Sequence, residues 1–369
     1  MSRKRYRVLV VSVVKHDYIA HAVAVHPRFD LMAVAEDSSA PDWAHERNQL
    51  FADHYKIPYL PNMDRALAEI DADVAVVSSE AERHCALAVA AAEAGLHIIV
   101  DKPLSTSLAE CDRLVDVVTK KQLKCLVWNR NFLPALLQTR KAVQRGDIGE
   151  LQTIHCDFYF SKDAGPVKGS RELDDPPINW LQRQLDAHAD GSDGGLGVTP
   201  MGELQVEGIY PLAYFRMLTG QRKVERVFAQ TTAHFHQAHV DNEVDDLATM
   251  SLEMEGGLIG SLCIGRIGAA SHPDIGEIKL HLIGSEGALV ISEARPEIAV
   301  YHRDQEPLEF KHHRIADEGN FLLLEDFLDA VETNSTPVLD AVGGRDICAV
   351  VIAALTSGRS NEVVKVEYG

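Results

Sequence analysis

Five short apolar runs, rich in β-branched residues and separated by amphipathic stretches, fill the first third of this 369-residue chain. They are Arg7 to Val13, Leu31 to Ala35, Val74 to Ser78, His97 to Val100 and Lys124 to Trp128. Unbroken apolar character is what a strand buried on both faces requires. Between the runs, Tyr18 to His26, Ala44 to His54, Met63 to Glu69, His84 to Ala94 and Leu108 to Lys120 have helical patterning. Parallel neighbours need crossovers of about a dozen residues or more, and helices supply them. The alternation therefore predicts an α/β fold whose N-terminal part is a doubly wound parallel sheet with helices on both faces.

After Trp128 the texture changes. A helix from Leu133 to Arg145 leads through Gly146 and Gly149 into longer, alternating runs: Leu151 to Phe160, Arg226 to His236, Asp246 to Glu253, Leu258 to Ile264, Ile278 to Ile283 and Ala288 to Ile291. Alternation without intervening helices predicts a large, mostly antiparallel, open-faced sheet in a C-terminal α+β domain. Helices from Phe321 to Glu332 and from Gly344 to Ser357 close the chain. The boundary is placed at 127/128, giving domains 1–127 and 128–369. The segment 162–202, rich in Asp, Gly and Pro and carrying Trp180, is expected to be an ordered loop at a substrate site or a subunit contact.

Lys and Arg number 36 against 55 Asp and Glu, for a formal charge of -19. That excess argues against nucleic acid and against an anionic membrane surface as partners. No apolar run approaches the roughly 18 residues of a membrane span, and the N-terminus leads into a strand instead of a signal-peptide core, so a cytoplasmic protein is expected. The six cysteines have no C-x-x-C spacing and read as reduced core thiols.

The first strand, its turn and a second strand ending in Glu36-Asp37 are laid out as a dinucleotide-binding, Rossmann-like βαβ unit, yet Tyr6 to Tyr18 contains no glycine. On G-x-G-x-x-G spacing the three positions are Ser12, Val14 and Asp17. Val14 puts a branched side chain, and Asp17 a negative charge, where a pyrophosphate would lie, while Lys15 and His16 offer donors at the helix start. Glu36 and Asp37 lie about 20 residues on, where a carboxylate bonds the adenosine ribose and repels a 2′-phosphate, favouring NAD over NADP.

From Asp73 to Leu104 the chain reads D-V-A-V-V-S-S-E-A-E-R-H-C-A-L-A-V-A-A-A-E-A-G-L-H-I-I-V-D-K-P-L. With N-R-N-F at Asn129, G-x-I-G-E at Gly146, V-D-D at Val244, G-S-E-G-A-L at Gly284 and S-G-R at Ser357, this resembles the Gfo/Idh/MocA family of sugar and polyol dehydrogenases over most of the chain. Asp101 replaces that family's usual Glu. The resemblance implies that Lys102 approaches the reacting hydroxyl and the nicotinamide, that Ser79, His84 and Asp101 lie on the cofactor side, and that Asn129 and Arg130 face the substrate. Where the family carries D-x-G-x-H-x-x-D, this chain has Val206, Glu207, Gly208, Tyr210 and Ala213. Tyr210 is then the acid/base hydroxyl. Glu203, Glu207, Tyr210 and Tyr214 fall within an arc of roughly 60° if the helix runs from Glu203, so either glutamate can replace the missing carboxylate.

Trp180 offers a sugar a flat apolar face, and Lys162, Asp163, Arg266 and His272 offer it hydrogen bonds. His234 and His236 share a face if they lie in a strand, and with His239 they form a weak candidate metal site beside the simpler alternative of water-facing histidines. The expected protein is an NAD-dependent oxidoreductase acting on a secondary hydroxyl or ketone of a sugar, polyol or glycoside, assembled as a homodimer or homotetramer. Two alternatives stand beside it: a sugar-sensing protein that kept the fold, and a metal-assisted lyase or isomerase.

Overall fold

The computed structural model describes residues 4–160, 201–266, 278–292, 297–302, 308–311 and 316–368. Most of the 162–202 segment, with Lys162, Asp163 and Trp180, lies outside the described residues, as does His272. The chain divides into two compact units, the first formed by Met1–Arg130 with Ala316–Cys348 and the second by Asn131–Ile315 with Ala349–Tyr368.

In the first unit the strands are β1 (Tyr6–Val13), β2 (Phe29–Ala35), β3 (Tyr59–Leu60), β4 (Val74–Ser78), β5 (His97–Val100) and β6 (Cys125–Val127). They form one parallel sheet in the order β3-β2-β1-β4-β5-β6. Helices α1 (Asp17–Val25), α2 (Asp42–Tyr55), α3 (Met63–Glu69), α4 (His84–Glu93) and α5 (Leu108–Lys120) connect them. Val8 to Val11 and Val74 to Val77 are completely buried, as central parallel strands must be. The strand order reverses between β1 and β4, so their carboxyl ends form the topological switch point where open α/β sheets bind ligands. The two-residue β3 is too short to show in any periodicity.

The segment Ala316–Cys348, assigned from sequence to the second domain, groups with the first unit instead. It carries α10 (Ala316–Thr333) and the start of α11 (Ala341–Ser360). Val127 N donates to Leu339 O, Arg28 pairs with Glu332, and His26 Nε2 lies 3.2 Å from Glu325. Gly344 packs so close that a Cβ there would come within 2.9 Å of Val127 Cγ2. By length and composition α11 is the one helix among the described residues able to cross a membrane. Its 18-residue window is 72% buried inside the protein, which makes it a core helix.

The second unit holds a nine-stranded sheet in the order β14-β13-β12-β11-β7-β10-β9-β8-β15. Its strands are β7 (Leu151–Phe160), β8 (Val224–Thr232), β9 (Leu247–Met254), β10 (Leu258–Arg266), β11 (Ile278–Gly284), β12 (Gly287–Ser292), β13 (Glu297–His302), β14 (Leu308–Lys311) and β15 (Val364–Lys365). All pairings are antiparallel except β7 with β10. Burial alternates along β9, where Ala248, Met250, Leu252 and Met254 face the core and Thr249, Ser251 and Glu253 are exposed. Helices α6 (Pro134–Arg145), α7 (Glu203–Glu207), α8 (Ile209–Leu218) and α9 (Gln237–Asp241) belong to this unit.

The strand expected to run to His236 ends at Thr232. The Asp246 carboxylate accepts the amides of His234, Phe235 and His236 at 2.6 to 3.1 Å and folds that segment off the ladder. His234 and His236 therefore do not share a strand face.

Candidate active site

At the carboxyl end of β1, Ser12 takes a φ of 58°, the left-handed conformation for which glycine is normally required. The register of β1 against β4 slips between Val11 and Val13, so Ser12 is the extra residue of a bulge. The glycine-type backbone thus persists without the glycine. Ser12 is completely buried, and its hydroxyl has no partner among the described residues. Val13 N donates to Asn48 Oδ1 at 2.8 Å. Val14, whose side chain was expected in the path of a pyrophosphate, is completely buried in the core. Its amide and that of Lys15 both donate to Ser78 O, at 3.1 and 3.2 Å, which engages the turn amides within the protein. Lys15 and His16 are half-buried and Asp17 is exposed at the start of α1.

Beside this turn, at the end of β5, Asp101 is completely buried and organises its neighbours. Its Oδ2 lies 2.5 Å from His16 Nδ1, and its Oδ1 accepts the Lys102 amide at 2.7 Å. Burial alone would raise the Asp101 pKa, but His16, then His84 and Lys102, outweigh it and hold the carboxyl at about 2. His84 Nδ1 lies 2.7 Å from Pro103 O and Nε2 lies 3.0 Å from Ser79 O, locking the ring between the ends of β4 and β5. Burial holds His84 below its ordinary pKa. Lys102 is 1% exposed and precedes a cis peptide bond to Pro103. An almost wholly buried lysine at the end of β5, next to the switch point, is suited to hydrogen-bonding a reacting oxygen.

Glu36 differs from expectation. It is completely buried, with Oε1 accepting Asp37 N at 2.8 Å and an Arg83 Nη2 hydrogen bond, and Oε2 accepting Asn48 Nδ2 at 3.0 Å. Asp37, half-buried, accepts the Ser39 amide and hydroxyl, and those bonds lower its pKa. Asp37 is therefore the carboxylate at the end of β2 that retains contact with solvent. Arg83 and Asn48 were missed from sequence. An Arg three residues after Glu80 reads only as surface charge, and Asn48 gives no signal in the pattern of α2.

In the second unit the helix does begin at Glu203, and Gly208, with φ -58° and ψ -22°, carries α7 straight into α8. Glu203, 1% exposed, accepts Arg266 Nε at 2.6 Å, and Glu207 lies 3.5 Å from Arg266 Nη2. Tyr210 is buried with its ring 6.1 Å from Phe158, and Tyr214 packs on the same ring at 6.3 Å. Asp245 Oδ2 accepts the Leu204 amide at 2.9 Å and so caps α7, while burial pushes its carboxyl up to about 6. Asn129 Nδ2 donates to Val127 O at 2.8 Å, and Arg130 is half-buried in the first unit.

The histidine cluster is not arranged for a metal. His236 Nε2 lies 2.6 Å from Arg266 O and His239 Nδ1 lies 3.2 Å from Asp245 O, contacts in which the ring must donate. His234 is exposed, with Nε2 2.9 Å from Thr232 Oγ1. No group of three or more metal-ligating side chains occurs among the described residues.

Comparison with known proteins bears on both units. Residues 10–128 match the family model of oxidoreductases with an NAD-binding Rossmann fold, and residues 200–290 match the GFO/IDH/MocA C-terminal domain. The chain belongs to the Gfo/Idh/MocA oxidoreductase family. It is 23% identical over 324 residues to a myo-inositol 2-dehydrogenase of Thermotoga maritima, covering 85% of this chain and 84% of that one. It is 26% identical over 218 residues to a bovine trans-1,2-dihydrobenzene-1,2-diol dehydrogenase, covering 58% of this chain and 55% of the relative. Two further curated relatives are spanned over only 33% and 36% of their length. Among solved structures, levoglucosan dehydrogenase in complex with NADH and L-sorbose superposes with a TM-score of 0.81 at 19% identity over the whole of both chains, a likeness of fold.

Proposed function

We propose that this family member is an NAD-dependent oxidoreductase that transfers a hydride between nicotinamide and a secondary hydroxyl or ketone of a sugar, polyol or glycoside. The observation that carries the proposal is Lys102, buried at the end of β5 beside the switch point with its amide fixed by Asp101. The substrate class follows relatives named as inositol, dihydrodiol and levoglucosan dehydrogenases.

The left-handed backbone of Ser12 and its hydroxyl, unpartnered among the described residues, at the mouth between β1 and β4, fit a nucleotide-binding turn. A bound nicotinamide supplies the hydride chemistry, and the protein supplies position and proton handling. Lys102 hydrogen-bonds the substrate oxygen and takes or returns its proton as the carbon passes between alcohol and ketone. The Tyr210 hydroxyl is the proposed second proton-handling group, with Glu203 and Glu207 held by Arg266 as its polar surroundings. Asn129, Arg130 and Trp180 are the proposed contacts to substrate hydroxyls.

For the cofactor, the side chains of Lys15 and His16 and the N-terminus of α1 are assigned to the diphosphate, replacing the engaged turn amides. Ser12, Val14, Ser79, His84 and Asp101 build the floor beneath it. Asp37, with Glu36 behind it, favours NAD over NADP by opposing a 2′-phosphate. A cytoplasmic homodimer or homotetramer, paired through the outer sheet face that exposes Ile259 and Ile283, completes the proposal.

The test is titration of NADH by protein fluorescence, with turnover measured on a panel of sugars and polyols. Wild type should bind NADH at millimolar concentration or below. Lys102→Met should keep that affinity within about threefold while kcat falls by about 100-fold or more, the loss of one positioned acid/base group. Absence of NADH binding at millimolar cofactor would overturn the proposal. The sensing alternative draws on the engagement of Val14 N and Lys15 N by Ser78 O, and it requires sugar binding without turnover.

A further inference from the structure

Of the two carboxylates that end β2, where an adenosine ribose is expected, one is closed by a residue of this chain. Glu36, at the end of β2, is completely buried, whereas the Arg83 side chain that pairs with it is 21% exposed. Of the two partners only the Arg83 side chain retains contact with solvent. Arg83 follows β4, and in the sheet β2 and β4 flank β1. The ion pair thus reaches across the carboxyl end of β1, over the mouth of the switch point. Arg83 is also held by Glu80, whose Oε2 is 3.5 Å from Nη1. Together with Asp37 N and Asn48 Nδ2, Arg83 completes three donors on the two Glu36 oxygens. A ribose diol reaching Glu36 meets a carboxylate already satisfied and covered.

We propose that Arg83 is a latch on the adenosine-ribose subsite: the dinucleotide reaches Glu36 only by displacing the guanidinium, so Arg83 sets cofactor affinity by opposing it. The inference rests on the proposed NAD-dependent function and concerns its regulation. Displacement exchanges a charge-assisted hydrogen bond within the protein for ribose hydroxyl bonds to the same carboxylate, leaving Arg83 tethered to Glu80. Affinity for ligands carrying the adenosine ribose is thereby reduced, and affinity for the nicotinamide half alone is not.

The experiment is calorimetric titration of the full-length protein with NADH, ADP-ribose and nicotinamide mononucleotide, using wild type, Arg83→Gln and Arg83→Lys. Arg83→Gln should bind NADH and ADP-ribose about tenfold more tightly, the factor that one net charge-assisted hydrogen bond represents. Nicotinamide mononucleotide should bind all three proteins alike. Arg83→Lys, which keeps the charge but loses the fork, should tighten ADP-ribose binding by a smaller factor and serves if the Gln variant does not fold. Weaker or unchanged ADP-ribose binding in both variants overturns the latch while leaving NADH binding, and with it the proposed function, intact. Failure of every variant to bind NADH or ADP-ribose at millimolar concentration overturns both.

Discussion

Replacing Ser12 by glycine should stabilise the protein, although glycine substitutions inside a strand ordinarily do the reverse. Ser12 has a φ of 58° in the bulge of β1 and a completely buried hydroxyl without a partner among the described residues. A non-glycine residue in the left-handed region costs about 1 to 2 kcal/mol, and an unsatisfied buried hydroxyl costs about 1 kcal/mol or more. Against their relief stands the extra freedom of glycine in the unfolded chain, about 0.5 to 1 kcal/mol. The net expectation for Ser12→Gly is a gain of about 1 kcal/mol, or about 2 °C in melting temperature for a chain of this size. Ser12→Ala removes the hydroxyl and keeps the backbone penalty, so it should fall between wild type and Ser12→Gly. Differential scanning calorimetry at neutral pH reads the order directly. A glycine variant less stable than the alanine variant would refute the argument, because it would show that the left-handed backbone imposes no penalty on Ser12.

Two further predictions concern pH. Asp101 has a folded pKa of about 2 against an ordinary 3.8. Its contribution, about 2 kcal/mol from the linkage relation, should be present above pH 4 and lost as the pH falls towards 2. The stability difference between wild type and Asp101→Asn, measured by urea unfolding, should shrink over that window. Asp245 has the opposite sign, since its folded pKa of about 6 lies above 3.8. Its contribution is complete below pH 4 and disappears as the pH rises through 6, so Asp245→Asn should gain stability relative to wild type between pH 4 and pH 7. Equal pH slopes for that variant and wild type would contradict the burial argument.

The sheet of the first unit was legible because β1, β4 and β5 are almost wholly buried and therefore nearly continuously apolar. Val74–Ser78 and His97–Val100 fall where the apolar runs place them. The D-K-P context placed Lys102 just beyond a strand end, and there it lies, buried two residues after β5. What sequence could not show were contacts made at long range. The engagement of Val14 N and Lys15 N depends on Ser78, more than 60 residues away. Closure of Glu36 depends on Arg83, 47 residues distant. The strand predicted through His234 and His236 failed because β-type composition has no record of a carboxylate, Asp246, that gathers their amides. β13 and β14, Glu297–His302 and Leu308–Lys311, lie at the end of the sheet and, at six and four residues, are too short to establish a period.

The return of Ala316–Cys348 to the first unit bears on how the molecule is made. During synthesis the six parallel strands emerge early, but Val127 N, Arg28 and His26 acquire Leu339, Glu332 and Glu325 only when the last tenth or so of the chain arrives. The amino-terminal unit is therefore the first to be begun and among the last to be finished. A nascent chain must hold that unfinished surface while β7 to β14 of the second sheet are made, and a chain truncated before Ala316–Cys348 yields an incomplete first unit.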